Sequence, residues 1–319
     1  MTRGMRAIVL AAQGGPEVLE YVERPDPEPG DGEVVVDVAA SGVNFIDIYH
    51  RSGAYPLQLP CTIGSEGAGV VSAVGPGVEG VVVGETVAWA MALGSYAEKA
   101  VVPARLVVPV PESVAPDVAA AVMLQGMTAH YLTHSTYRVQ EGDTVLVHAA
   151  AGGMGQLLVQ VCKMLGATVY GTASTPAKEK LAREAGADDV LTYQDFAERL
   201  RGKVDVVYDG VGATTFDGGL EALRRRGLMV LYGAASGPVP PVDPQRLNRA
   251  GSLFLTRPTL ADYTAERDEL LWRAADLFEW IGSGRVRVNV SHRYPLADVA
   301  KAQEDLASRR TTGKLLLIP

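Results

Sequence analysis

The chain is poor in the residues that build metal centres and disulfide frameworks. Its 319 residues include two cysteines, Cys61 and Cys162, and five histidines. Two cysteines cannot make the disulfide lattice of a small secreted protein or a structural zinc site of several thiolates. Basic residues are outnumbered: 29 Lys and Arg against 37 Asp and Glu leave a formal net charge of −8. Nucleic-acid binding draws on a basic face, so this balance disfavours it. Long apolar runs are missing as well. One long uncharged stretch, residues 144–162, holds His148, Gln156, Gln160 and glycines at 152, 153 and 155. A membrane helix needs about 20 mostly apolar residues, so none is expected. The apolar stretch 7–12 is shorter than the core of an export signal and ends at Gln13-Gly14-Gly15-Pro16, so a cytoplasmic protein is expected.

What is present changes character near residue 120. Residues 5–110 carry short β-branched runs such as Glu33–Val38 and Ala68–Val74, punctuated by Pro25, Pro27, Pro29, Pro76, Pro103, Pro109 and Pro111. This pattern reads as many short strands and turns. From about residue 122, strands alternate with helices. Strands are expected at 144–148, 168–171, 190–191, 204–208, 228–232 and 252–255, and helices at 153–165, 176–185 and 214–225. Such alternation implies βαβ units and a parallel sheet. The tail changes again, with helices expected at 265–281 and 297–308 and strands at 286–290 and 314–318. One domain inserted within another fits this order.

The most informative segment joins the strand Val145-Leu146-Val147-His148 to Ala149-Ala150-Ala151-Gly152-Gly153-Met154-Gly155, where a helical pattern begins. It is the dinucleotide fingerprint with Ala150 at its first glycine position. Gly152 lets the backbone approach a pyrophosphate, and Gly155 lets the helix lie close to the strand. The free N–H groups and dipole of the helix start favour the anion. The alternative is a tight turn with no ligand. NAD sites place an acid at the end of the second strand to bind the ribose 2′-hydroxyl. No acid occurs between Thr144 and Lys178, and Ser174 is followed four positions later by Lys178. A hydroxyl and an ammonium suit a 2′-phosphate, so NADPH is favoured over NADH. By itself, Lys178 would read as a solvated helix lysine.

These residues resemble the zinc-independent quinone oxidoreductases, the zeta-crystallin-like branch of the medium-chain dehydrogenases/reductases. The resemblance rests on 142–155 with Gln160 and Lys163, on Val43–Tyr49 with Arg51–Pro56, and on Gly64–Gly69. Tyr208–Gly212, Thr256–Pro258, Ser308-Arg309 and Thr312–Lys314 extend it over nearly the whole chain. Met154 departs from the smaller aliphatic residue commoner there. The resemblance implies an α/β plus β fold: a GroES-like, mostly β catalytic lobe (1–122 and 261–319) with an inserted Rossmann domain, a doubly wound parallel sheet (123–260).

It also implies roles. Asn44, Phe45 and Ile46 would lie near the nicotinamide, with Asn44, Tyr49 and Tyr55 as the catalytic residues. Tyr131, Gly153 and Met154 would line its ribose and the pyrophosphate. Ser174, Lys178, Tyr193 and Arg309 would hold the 2′-phosphate. Gly210, Gly233, Phe254 and Thr256 would flank the cofactor, and Tyr49 and Tyr55 would wall the substrate pocket. Zinc-dependent relatives carry Cys where this chain has Asn44, His where it has Ser65, and a sulfur ligand near Gln125. No metal is therefore expected, and hydride or single-electron transfer from NADPH to a quinone is the leading activity. Reduction of α,β-unsaturated ketones or aldehydes is the second reading. A non-catalytic cofactor-binding protein, structural or nucleic-acid-binding, is the third.

Smaller signals carry two readings each. Tyr49 and Tyr55 are proton donors or packing aromatics. Asp47 shapes the active site or caps the turn at Asn44. His148 is a buried supporting histidine or a base. Cys61 reads as a small buried hydrophobe in a loop, and Arg224-Arg225-Arg226 as a solvated helix end. Gly251–Thr256 reads as the last strand of the sheet, and with Leu253 and Phe254 on it an uncovered edge is a pairing hazard. A homodimer is expected to cover it, the alternative being a shield from 238–247.

Overall fold

The computed structural model describes residues 4–319. They form two compact units. One holds the chain up to Met127 with Thr264–Gly284 and Val288–Pro319; the other holds Thr128–Tyr263 and Arg285–Arg287. The expected boundaries at 122 and 260 compare with 127 and 263 here.

The chain opens with β1 (Gly4–Leu10), β2 (Leu19–Pro25), β3 (Glu33–Val43), α1 (Phe45–Ser52), β4 (Cys61–Thr62), β5 (Glu66–Val74), β6 (Thr86–Ala90), β7 (Lys99–Pro103), β8 (Val108–Pro109) and α2 (Pro116–Tyr131). The second unit continues with β9 (Thr144–Val147), α3 (Gly153–Met164), β10 (Thr168–Thr172), α4 (Pro176–Glu184), β11 (Asp189–Leu191), α5 (Phe196–Arg199), β12 (Val204–Asp209) and α6 (Phe216–Ala222). It closes with β13 (Leu223–Leu231), α7 (Pro244–Arg249), β14 (Phe254–Thr256) and α8 (Leu260–Tyr263). The chain then returns to the first unit through α9 (Arg267–Gly282), β15 (Val290–Pro295), α10 (Val299–Ala307) and β16 (Lys314–Ile318).

The first unit holds a small sheet, β2-β1-β4, and a larger one, β15-β16-β3-β5-β6-β8, with β7 paired to β3. Alternate valines of β3 drive this packing. Val34, Val36 and Val38 share one face and bury against Val71, Val87, Trp89 and Val102. In the second unit the sheet is parallel, in the order β11-β10-β9-β12-β13-β14. Counted from β9 that is 3-2-1-4-5-6, the doubly wound dinucleotide-binding order, whose strand order reverses between β9 and β12. Ligands of such sheets sit at the carboxyl ends of the strands at that reversal. Its core is Leu146, Val207, Phe196, Phe216 and Met229 with their neighbours.

Four local readings are corrected. Arg224–Arg226 do not end a helix: α6 stops at Ala222, and these arginines begin β13 beside a register shift against β12. Cys61 is half-buried in a strand, not buried in a loop. The expected strand 286–290 lies at Val290–Pro295. Leu253 is buried in the core of its own unit, so the exposed side chain of that edge is Phe254.

Candidate active site

The glycine turn follows β9. Ala149 takes a left-handed φ of 51°, which turns the chain sharply after His148. Ala150 N–H donates to Thr172 O (3.0 Å), tying the turn to β10, and Gly171 leaves room for the Ala150 methyl. A Cβ at Gly155 would collide with Ala149 O and lie 2.7 Å from Ala150 Cα, so close helix–strand packing demands glycine. Gly152 differs. A Cβ there meets only Ala149 O, at 3.3 Å, so the protein leaves that face open. Gly152 also precedes α3 with no side-chain cap, so no side-chain oxygen occupies the N–H groups of the first turn. An open face above uncapped N–H groups fits a pyrophosphate.

The neighbouring strand ends fit the rest of such a cofactor. β10 runs out through Thr172 into Ala173 and exposed Ser174, and Thr175 caps α4 by accepting the Lys178 N–H (3.3 Å). Thr175 was readable, since a hydroxyl followed by Pro176 is a helix-start signal. No carboxylate stands at the end of β10. Tyr193 stacks near the buried His148 ring (centroids 6.3 Å). Beyond β12, buried Asp209 accepts N–H groups of Val211 (2.7 Å) and Gly212 (2.9 Å), and Gly210 and Gly233 pack tightly together. Tyr131 is buried and stacks on Tyr263 at 4.2 Å. Gly153 and Met154 are half-buried at the start of α3. Phe254 and Thr256 stand apart, on the outer strand β14.

In the first unit, Asn44 precedes α1, which carries Phe45, Ile46, Asp47 and Tyr49. Phe45, Tyr49 and Tyr55 form an aromatic run with centroid spacings of 6.3 and 5.2 Å. Arg309 is exposed in this unit, just past α10, with φ 57°. The Asn44 amide is committed inward. It donates to Glu66 Oε2 (2.8 Å) and Gly42 O (3.3 Å) and accepts from the Lys314 ammonium (2.7 Å). Glu66 and Lys314 were missed by the residue reading, because their separation in sequence gives no local signal.

Of the two readings of Asp47, the cap of the turn at Asn44 is the one seen. The Asp47 carboxylate accepts the Asn44 N–H (2.9 Å), the Ser65 hydroxyl (2.8 Å) and the Tyr96 hydroxyl (2.8 Å). Burial pushes its pKa up to about 6, against those hydrogen bonds, which pull it down. Burial, with the Asp47 charge beside it, holds the Tyr96 hydroxyl protonated.

A GroES-like unit drawn from both chain ends, with a dinucleotide-binding unit inserted, defines the medium-chain dehydrogenase/reductase class. One family profile, the alcohol dehydrogenase GroES-like domain, matches residues 30–112; another, described as zinc-binding dehydrogenase, matches 153–268. The chain is 45% identical to a quinone oxidoreductase of Pseudomonas aeruginosa, covering 98% of this chain and 99% of that one. It is 42% identical to a 2-haloacrylate reductase of a Burkholderia species, covering 98% of each. A mycobacterial protein solved with NADPH matches with TM-score 0.96 and 52% identity over 99% of this chain and all of that one. Within the class, the chain belongs to the quinone oxidoreductase family.

The zinc in that profile's description finds no fitting donors here. Asn44 Oδ1 already faces an ammonium, and the Ser65 hydroxyl is spent on Asp47. A fixed cation beside those atoms repels a dication. Among the described residues, no group of three or more His, Cys, Asp or Glu side chains converges on a metal position. No helix among them is long and apolar enough to cross a membrane.

Proposed function

We propose that the chain is an NADPH-dependent reductase of quinones that works without a metal. The observation that carries this is the open, uncapped glycine turn beside a strand end with no acid, in a chain so similar to quinone oxidoreductases. When bound, NADPH supplies the hydride. Gly152, Gly153, Met154 and the N–H groups of α3 bind its pyrophosphate, with Gly155 holding α3 in place. Ser174, Lys178, Tyr193 and Arg309 bind the 2′-phosphate. Tyr131, Phe45 and Ile46 orient the nicotinamide side, and Gly210, Gly233, Phe254 and Thr256 flank the cofactor. Tyr49 and Tyr55 wall the acceptor pocket. Asn44, whose amide is spent inside the protein, acts as a positioning residue. Quinones accept hydride without metal polarisation, so the protein's contribution is orientation and exclusion of water.

Conjugated acceptors are the second reading, favoured by the similarity to a 2-haloacrylate reductase. Acceptor-dependent oxidation of NADPH, measured with a quinone panel and an enone panel, separates the two. Quinones are expected to give the higher kcat/KM; a higher value for enones reverses the order.

A homodimer joined at β14 completes the reading. β14 is an edge strand, and Phe254 on it is 60% exposed. Two free cysteines fit a reducing, cytoplasmic setting, and the acidic net charge argues against a nucleic-acid partner.

A further inference from the structure

Behind Asn44 lies buried charge that hydride delivery does not use. Lys314 and Glu66 are 2% and 0% exposed. Lys314 Nζ lies 2.5 Å from Glu66 Oε2 and 2.7 Å from Asn44 Oδ1, while Asn44 Nδ2 donates to the same Glu66 oxygen at 2.8 Å. The three side chains close a ring. The other Glu66 oxygen accepts the Leu124 N–H at 2.6 Å, so β16, β5, α2 and the start of α1 meet in one cluster. Gly42 on β3 makes the space: a Cβ there would collide with Glu66 Oε2 and lie 2.8 Å from Lys314 Cε.

The ring has a direction. An ammonium only donates, so it must face Asn44 Oδ1, and that turns Nδ2 toward Glu66 and Gly42 O. A flipped amide would set two donors against each other and leave a buried carboxylate facing a carbonyl oxygen. The Asn44 backbone N–H meanwhile binds Asp47 in the first turn of α1. The entry of the chain into α1, and with it Phe45, Ile46 and Tyr49, hangs on the orientation of one amide.

We infer that Lys314 is a positioning residue: it is the resident cation of this cluster and, through Asn44 and Glu66, it sets the start of α1. The oxygens that a divalent ion would need there, Asn44 Oδ1 and Glu66 Oε2, are the ones Lys314 holds. Where turnover is read, the inference rests on the proposed function; the exchange measurement below does not.

The test uses Lys314→Met, Glu66→Gln and the double variant. Either single change leaves a bare or unmatched buried group and is expected to impair folding. The double variant removes both charges at nearly constant volume and is expected to fold. In it, hydrogen exchange of the backbone amides of residues 45–48 should quicken about tenfold or more, while the amides of β9 and α3 stay at wild-type rates. Its kcat with a quinone should fall about tenfold, with NADPH affinity within about twofold of wild type. Wild-type exchange at 45–48 in the folded double variant overturns the inference, whatever turnover does. If the wild-type protein reduces no acceptor, the proposed function fails and the exchange result still decides the role of Lys314.

Discussion

Thr172 holds His148 at the mouth of the glycine turn: its hydroxyl lies 3.0 Å from His148 Nδ1 and 3.2 Å from the Ala149 N–H. Oγ1 accepts the Ala149 hydrogen, so its own hydrogen is free to donate to Nδ1. Full burial holds the ring neutral, lowering its pKa. Nε2 has no hydrogen-bond partner and lies beside the edge-to-face Phe196 ring, at 4.8 Å between centroids. The bond to Ala149 steadies a residue held at φ 51°. Thr172→Val leaves the buried His148 Nδ1 without a partner and strips the Ala149 N–H of its acceptor, at a cost of about 1–2 kcal/mol. The KM for NADPH should rise about five- to thirtyfold with kcat little changed. Thr172→Ser should restore it. A Thr172→Val enzyme with wild-type NADPH KM would show that Thr172 plays no part in cofactor binding.

Lys178 is the cation proposed for the 2′-phosphate. A charge-assisted hydrogen bond there is worth about 1.5–3 kcal/mol. Lys178→Ala should therefore weaken NADPH binding by about ten- to 150-fold and leave NADH nearly unchanged. Fluorescence titration of both cofactors measures this. Equal losses for the two would show that Lys178 does not read the phosphate.

How far such a site is legible from sequence differs between the two units. The turn at Gly152 and Gly155 could be read because its signals are local: an apolar strand, spaced glycines and a helical period within twenty residues. The cluster around Asn44 could not. Glu66 and Lys314 stand 22 and 270 positions from Asn44, and only the sheet brings them together. α2 was invisible for another reason: Ala119–Met123 are all buried, so no polar stripe marks the helix period. Arg224–Arg226 misled because a charged run after α6 imitates a helix end, whereas the polypeptide enters β13 with Arg224 paired to Asp205.

Asp47 gives a pH signature. Folded, it keeps its proton up to about pH 6; unfolded, only to about pH 4. Between those values the folded state binds more protons, so this group makes stability fall as pH rises, with no further change above 6. The contribution is on the order of 3 kcal/mol. Asp188, Asp189 and Asp305, whose pKa values are lowered, act in the opposite sense but are common to wild type and Asp47→Asn. The melting temperature of wild type relative to Asp47→Asn should rise as pH is lowered from about 7 to about 4. A flat difference would mean that Asp47 titrates normally.

The β14 edge predicts the oligomeric state. Sedimentation should give about twice the chain mass of 33.7 kDa. Phe254→Lys should shift the protein to monomer with its melting curve preserved, since that side chain is exposed. The same substitution at Leu253 would disrupt the core of its own unit instead. A wild-type monomer across micromolar concentrations contradicts the interface.

In the proposed function this polypeptide passes hydride from NADPH to a quinone unaided by a metal. The most direct test is the steady-state oxidation of NADPH and of NADH with one quinone, before and after dialysis against a strong chelator. Quinone-dependent turnover is expected, with kcat/KM for NADPH at least about tenfold above that for NADH and no change on chelation. Turnover lost on chelation and restored by zinc, or a preference for NADH, would rule out metal-free, NADPH-specific hydride transfer.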